Sequence, residues 1–234
     1  VIKAVLPAAF LLSALGLLGS TVGTTPCSSG TLASYSTSYA YAPPLLGCSI
    51  GILDYSNFTY VGLQNAPAAS DIAVAPASSG NGFMFSQVGG SPFVANGDIV
   101  QFAIYYNIFI DPAPVIPGAS THLDPPVGNV SITEYFCNDS VLYPGNTSCF
   151  PPTSPAYSLT VTTASPDASI TFNPPAMQTQ TVGVIFTLNG LTGIASFDGL
   201  ETDTAVAAAP EPASFALVGL VMLFGGYKLK KRSN

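Results

Sequence analysis

The sequence predicts an all-β fold, two antiparallel sheets packed face to face as a jelly-roll-like sandwich, on three observations. Apolar residues alternate with a period of two through the middle of the chain. Gly, Pro and Asn cluster between those runs. No useful helical period separates them, leaving helices only for the apolar segments at the two ends.

The clearest strand runs from Asp98 to Ile110, with Val100, Phe102, Ile104, Tyr106, Ile108 and Ile110 on one parity. Gln101, Ala103, Tyr105 and Asn107 on the other predict a half-wet face. Val130, Ile132 and Phe136 repeat the pattern, with Glu134 breaking it. Tyr157, Leu159 and Val161 form another run, and Val182, Val184, Phe186 and Leu188 one more. Shorter strands are expected around Phe58 and Tyr60, Ile72 and Val74, Phe83 and Phe85, and Ile170 and Phe172. Turn signals stand at Gly80-Asn81-Gly82, Asn96-Gly97, Pro144-Gly145 and Asn189-Gly190. The Pro-rich stretches 111–126 and 150–155 read as loops, since proline cannot serve a central strand.

The chain carries five basic and twelve acidic residues, for a net charge of −7. Between Lys3 and Lys228 there is no Lys or Arg, and all the acidic residues fall in that interval. Such a surface cannot neutralise phosphates, which excludes nucleic acid and anionic membrane surfaces as partners. High hydrophobicity argues against a disordered acidic segment.

Lys3, an apolar run from Ala4 to Leu18 and small residues through Gly23 have the layout of a secretory signal peptide. Residues 1–23 are therefore expected to be removed, leaving Thr24. In an exported chain the four cysteines Cys27, Cys48, Cys137 and Cys149 read as two disulfides. Three pairings are open. Cys27 with Cys48 and Cys137 with Cys149 are favoured because each closes a local loop, and each bond would stabilise the fold by roughly 3 kcal/mol. A zinc site is the competing reading, disfavoured because no Cys-x-x-Cys spacing exists and a single histidine is available. The domains expected are a signal peptide at 1–23, a β-sandwich at 24–204 and a C-terminal signal at 205–234.

That last segment has three parts. Pro210-Glu211-Pro212 precedes an apolar span from Ala213 to Tyr227, and Lys228, Lys230, Lys231 and Arg232 close it. A span of about fifteen residues covers roughly 22 Å as a helix, short for a hydrocarbon core of about 30 Å. The arrangement resembles the PEP-CTERM sorting signal of Gram-negative bacteria. The resemblance implies export, an inner-membrane intermediate held by a transmembrane helix, processing by an exosortase, and delivery to the cell surface or extracellular matrix. Its expected partners are the exosortase, the secretion machinery and exopolysaccharide. Blocks at 30–35, 47–51 and 56–60 resemble the N-terminal part of uncharacterised proteins bearing such tails, which supplies no chemistry.

No catalytic constellation emerges. His122, the single histidine, falls in a predicted loop beside Asp124. Asp54, Asp98, Asp124 and Glu134 are carboxylates for glycoside hydrolysis only if folding pairs them. Calcium is the one cofactor considered, through Asn96 and Asp98, or Asp198, Glu201 and Asp203, though neither group forms a complete loop. The leading expectation is a non-enzymatic surface or matrix protein associated with exopolysaccharide or biofilm. The alternative is a secreted carbohydrate-binding module with Tyr35, Tyr39, Tyr41 or Tyr55 stacking on sugars. A secreted glycoside hydrolase stands third.

Trypsin cleaves after Lys or Arg because a buried carboxylate in its pocket pairs with the cationic side chain. The segment from Thr24 to Pro212, reduced and unfolded in urea, should therefore survive trypsin while chymotrypsin digests it. Tryptic fragments from inside that segment would contradict this.

Overall fold

The computed structural model describes residues 25–39, 47–78, 80–110, 114–152 and 156–208. The expected signal peptide and the three-part tail from Pro210 onward lie outside these residues. Among the described residues no helix is long and apolar enough to cross a membrane.

In chain order the elements are β1 (Thr25–Pro26), β2 (Gly30–Thr31), α1 (Leu32–Ser38), β3 (Cys48–Ile50), β4 (Leu53–Gln64) and a 3-10 turn at Ala69–Asp71. There follow β5 (Ile72–Pro76), β6 (Phe83–Gln87), β7 (Phe93–Asn96), β8 (Ile99–Ile110), β9 (Pro114–Asp124) and β10 (Asn129–Asn138). The last are β11 (Ala156–Thr162), β12 (Asp167–Ala176), β13 (Thr179–Asn189), β14 (Ile194–Phe197) and β15 (Gly199–Ala208).

These strands form a seven-stranded sheet, β1-β3-β4-β8-β13-β10-β11, and a six-stranded sheet, β12-β9-β15-β6-β5-β2. The small pair β14-β7 stands beside them. Among the described residues only β1 and β3 run parallel. The chain is therefore predominantly antiparallel β-structure, as the alternation predicts. The ladder of β8, β13 and β10 is unbroken, from Thr179 opposite Phe109 to Asn189 opposite Ile99, and from Asn129 opposite Asn189 to Asn138 opposite Gln180.

Period-two geometry turns one parity of each long strand inward. From β8, Phe102, Ile104 and Ile108 are fully buried, and from β13 so are Val184, Phe186 and Leu188. The six-stranded sheet answers with Ile72, Phe83, Phe85, Ile116 and Leu200 in the same core. Aromatic rings knit the two faces. Phe102 and Phe186, directly opposite in register, stack with centroids 4.4 Å apart. Phe85 meets Phe186 edge-on at 6.3 Å, and Phe83 meets Tyr55 at 4.8 Å.

Four expectations are corrected. Residues 114–124 form a strand, although the prolines there predict a loop. Pro117 is tolerated because the ladders to β12 and β15 both shift register beside it, leaving it no partner to bond. A helix, α1, forms where no helical period was expected: Thr31 and Ser34 make a capping box, and Leu32 and Tyr35 turn the first turn toward the core. Strand β15 extends past the expected boundary at 204, pairing Ala207 with Val115 and Ala208 with Pro114. The second face of β8 is half-wet as expected: Gln101 and Asn107 keep partial exposure, while Ala103 and Tyr105 are buried with Cys137, Leu142 and Cys149.

The last correction concerns Glu134. It does not break the alternation of β10 but follows it inward, 2 % exposed. Its Oε1 accepts a hydrogen bond from the Thr121 hydroxyl of the opposite sheet at 2.8 Å. Burial raises its pKa from 4.5 to about 8, with the Thr121 hydrogen bond acting in the opposite direction. The folded protein thus keeps a proton that the unfolded chain releases between these values. The stability from neutral Glu134 is fully present below about pH 4.5, declines as pH rises, and is gone above about pH 8. Thermal unfolding of Glu134→Gln should lose this component of the pH dependence. The variant should exceed the parent at pH 8 by an amount on the order of a few kcal/mol. Parallel pH profiles would contradict the assignment.

Candidate functional site: a polar cleft on the six-stranded sheet

The outer face of the six-stranded sheet carries two rows of polar side chains across β12, β9 and β15. Asp167 stands opposite His122, which stands opposite Glu201. One step along, Ser169 stands opposite Ser120, which stands opposite Asp203. The intervening Thr121 and Thr202 are buried, so alternation alone sorts the two sets. The two rows and Thr121, with Ser78 beyond β5, line an open cleft of about 520 Å³.

His122 Nδ1 lies 2.6 Å from Asp167 Oδ1. Both side chains are well exposed, at 50 % and 75 %, so the contact orients the ring more than it stabilises the fold. Ser78 Oγ donates to Glu201 Oε1 at 3.3 Å, tying the β5–β6 connection to the cleft. Three carboxylates face one imidazole, and no Lys or Arg occurs between Lys3 and Lys228 to offset them. The cleft therefore disfavours anions. Serine hydroxyls and carboxylate oxygens in two rows suit a ligand that presents several hydroxyl donors. Thr121 joins this floor to the interior, since its hydroxyl holds Glu134.

The sequence-derived residues fall as follows. Cys27 is bonded to Cys48 and Cys137 to Cys149, each with S–S 2.07 Å. The first bond ties the N-terminal segment to β3, and the second closes a loop on the outer face of the seven-stranded sheet. Disulfides persist in oxidising compartments, which marks the protein as extracytoplasmic. Pro210, Glu211, Pro212, Lys228, Lys230, Lys231 and Arg232 lie outside the described residues.

Of the tyrosines expected to stack on sugars, two are interior. Tyr35 and Tyr55 are core residues, 2 % and 0 % exposed. Their hydroxyls donate to Ser28 O at 2.6 Å and Asn81 O at 2.7 Å. Burial pushes the Tyr35 pKa up to about 12 and raises that of Tyr55. Tyr39 packs against the core, and Tyr41 lies outside the described residues. Ring burial with a satisfied hydroxyl uses up Tyr35 and Tyr55.

Nor do the hydrolase carboxylates converge. Asp54 belongs to β4 opposite Ser49, Asp98 stands before β8, Asp124 ends β9, and Glu134 is interior. Of the calcium groups, Asp98 Oδ1 accepts from Asn96 N at 3.1 Å and closes its own turn. Glu201 and Asp203 face the cleft, while Asp198 is not among its lining residues. Among the described residues no three His, Cys, Asp or Glu side chains are grouped to hold a metal ion.

Sequence reasoning missed the cleft because Pro117 concealed β9. The signal was present in the alternation of Ser120 and His122 with Thr121 and Leu123, and of Glu201 and Asp203 with Thr202 and Thr204.

No protein-family model matches the chain, and no curated protein does. Among solved structures, it is similar to the carbohydrate-binding module TmCBM61, a structure determined with β-1,4-galactotriose. The TM-score is 0.35 at 13 % identity, over 63 % of this chain and 88 % of that one. It is also similar to the enzymatically active domain of tailspike protein 4 of bacteriophage CBA120. There the TM-score is 0.24 at 12 % identity, over 64 % of this chain and 20 % of that one. Scores this low carry no argument about either fold or ligand.

Proposed function

We propose that this chain is an exported, non-enzymatic protein of the bacterial cell surface or extracellular matrix. In this reading an N-terminal signal helix delivers a jelly-roll-like, disulfide-bonded domain across the inner membrane. The C-terminal transmembrane helix holds it until an exosortase acts, and exopolysaccharide or biofilm matrix is its setting. The observation that carries the reading is the joining of two disulfides to a chain that carries Pro210-Glu211-Pro212, a short apolar span and a basic cluster. A shorter-than-bilayer span suits a processing intermediate better than a permanent anchor.

Carbohydrate binding is the second reading, favoured by the two rows of hydroxyl and carboxylate side chains in the cleft. It rests on these strands and not on the tyrosines. Glycoside hydrolysis gains no support from the carboxylates considered for it, one of which is sealed in the core.

Intact-mass measurement of the protein from its native host tests the sorting step. The surface form should lack the residues from Ala213 onward. A mature surface protein that retains Lys228 to Asn234 would contradict exosortase processing.

A further inference from the structure

We infer that the loop 139–152, closed by the Cys137–Cys149 disulfide, is a stacking site for a neutral glycan chain. This rests on the carbohydrate-binding reading and adds to it a site on the opposite outer face from the cleft. Two aromatic rings stand out from the loop. Tyr143 is 51 % exposed and Phe150 57 %, with centroids 6.0 Å apart and planes tilted by 56°.

The loop is built to hold them there. Tyr143-Pro144-Gly145-Asn146 has the pattern of a type II turn, with Pro second and Gly145 at φ 85° third. Asn146 N donates to Tyr143 O at 3.0 Å. Gly145 N donates to the hydroxyl of Tyr105, buried beneath the loop, at 2.9 Å. Phe150 is clamped to Val141 by reciprocal backbone hydrogen bonds of 2.8 and 3.1 Å. Leu142 and Cys149 fill the space against Ala103 and Tyr105. Gly183 of β13 makes that docking possible, because a Cβ there would lie 2.7 Å from Tyr105 and 2.8 Å from Leu142.

The surrounding chemistry selects the ligand. Residues 140–152 contain no charged side chain. Asp139 at the loop's entrance spends its carboxylate on the backbone amides of Met177, Gln178 and Thr179. The polar groups beside the rings are Asn146, Thr147 and Ser148, all exposed. Aromatic faces flanked by amide and hydroxyl groups, without charge, match sugar rings with apolar C–H faces and hydroxyl edges. The tilt between the rings fits successive residues of a twisted single chain and not a flat crystalline surface.

Calorimetric titration of the exported protein with cellohexaose and with β-1,4-galactohexaose tests the inference. At least one should bind. Tyr143→Ala and Phe150→Ala should each weaken binding by about tenfold, the worth of one ring contact. Tyr143→Phe should retain it, and so should Leu191→Ala, an exposed apolar residue past the end of β13 away from the loop and outside the cleft lining. Intact mass and circular dichroism establish that each variant keeps its disulfides and its β-structure. Parental affinity in both loop alanine variants would overturn the site, and if the cleft variant Glu201→Gln then abolished binding the cleft reading alone would stand. Absence of binding to both oligosaccharides would overturn the stacking site while leaving export untouched.

Discussion

The burial of two sheet faces against each other is the constraint on which the rest of this molecule depends. Among the described residues neither sheet has a second apolar layer of comparable extent, so each strand must keep one parity inward along its whole paired length. The stack of Phe102 on Phe186, met edge-on by Phe85, sits where that requirement is strictest. A one-residue slip of β13 would exchange Val184 and Phe186 for Gly183 and Ile185, which leaves a gap in place of Val184 and an aliphatic side chain where the Phe186 ring now packs. The unbroken ladders on both sides of β13 prevent it. With the register held, the outward parity is free to carry chemistry, and the cleft and the stapled loop both occupy it.

The same constraint explains the unusual interior acid. Glu134 lies on the inward parity of β10, so it must be buried wherever the ladder holds. A cation to pair with it is not to be had, because the chain has no Lys or Arg between Lys3 and Lys228. Neutrality, supported by the Thr121 hydroxyl, is the solution available to it. The hydrogen bond also joins the two sheets directly beneath the cleft strand, so its location couples core and surface through one residue pair.

Much of this was legible in the sequence. Long alternating runs such as Val100 to Ile108 and Val182 to Leu188 announce half-buried strands because a two-residue period has no other economical meaning. Cysteine parity and spacing favoured the two local bonds that the structure contains. The failures have identifiable causes. Pro117 hid β9, since a bulge that removes a proline's need for a partner leaves no mark in composition. Short pairs such as β7 and β14 fall below the length at which alternation can be read. Tyr35 and Tyr55 appeared available for ligands because a sequence does not say whether an aromatic ring meets solvent or a core. The cleft required three separate strands to be set side by side, and only register supplies that.

Compartment and cysteine state, measured together in the native host, test the central claim that this domain works outside the cytoplasm. Fractionation with thiol alkylation at the moment of lysis should recover the protein in the surface or matrix fraction with Cys27, Cys48, Cys137 and Cys149 all oxidised. Recovery from the cytoplasm with alkylated, reduced cysteines would contradict the account.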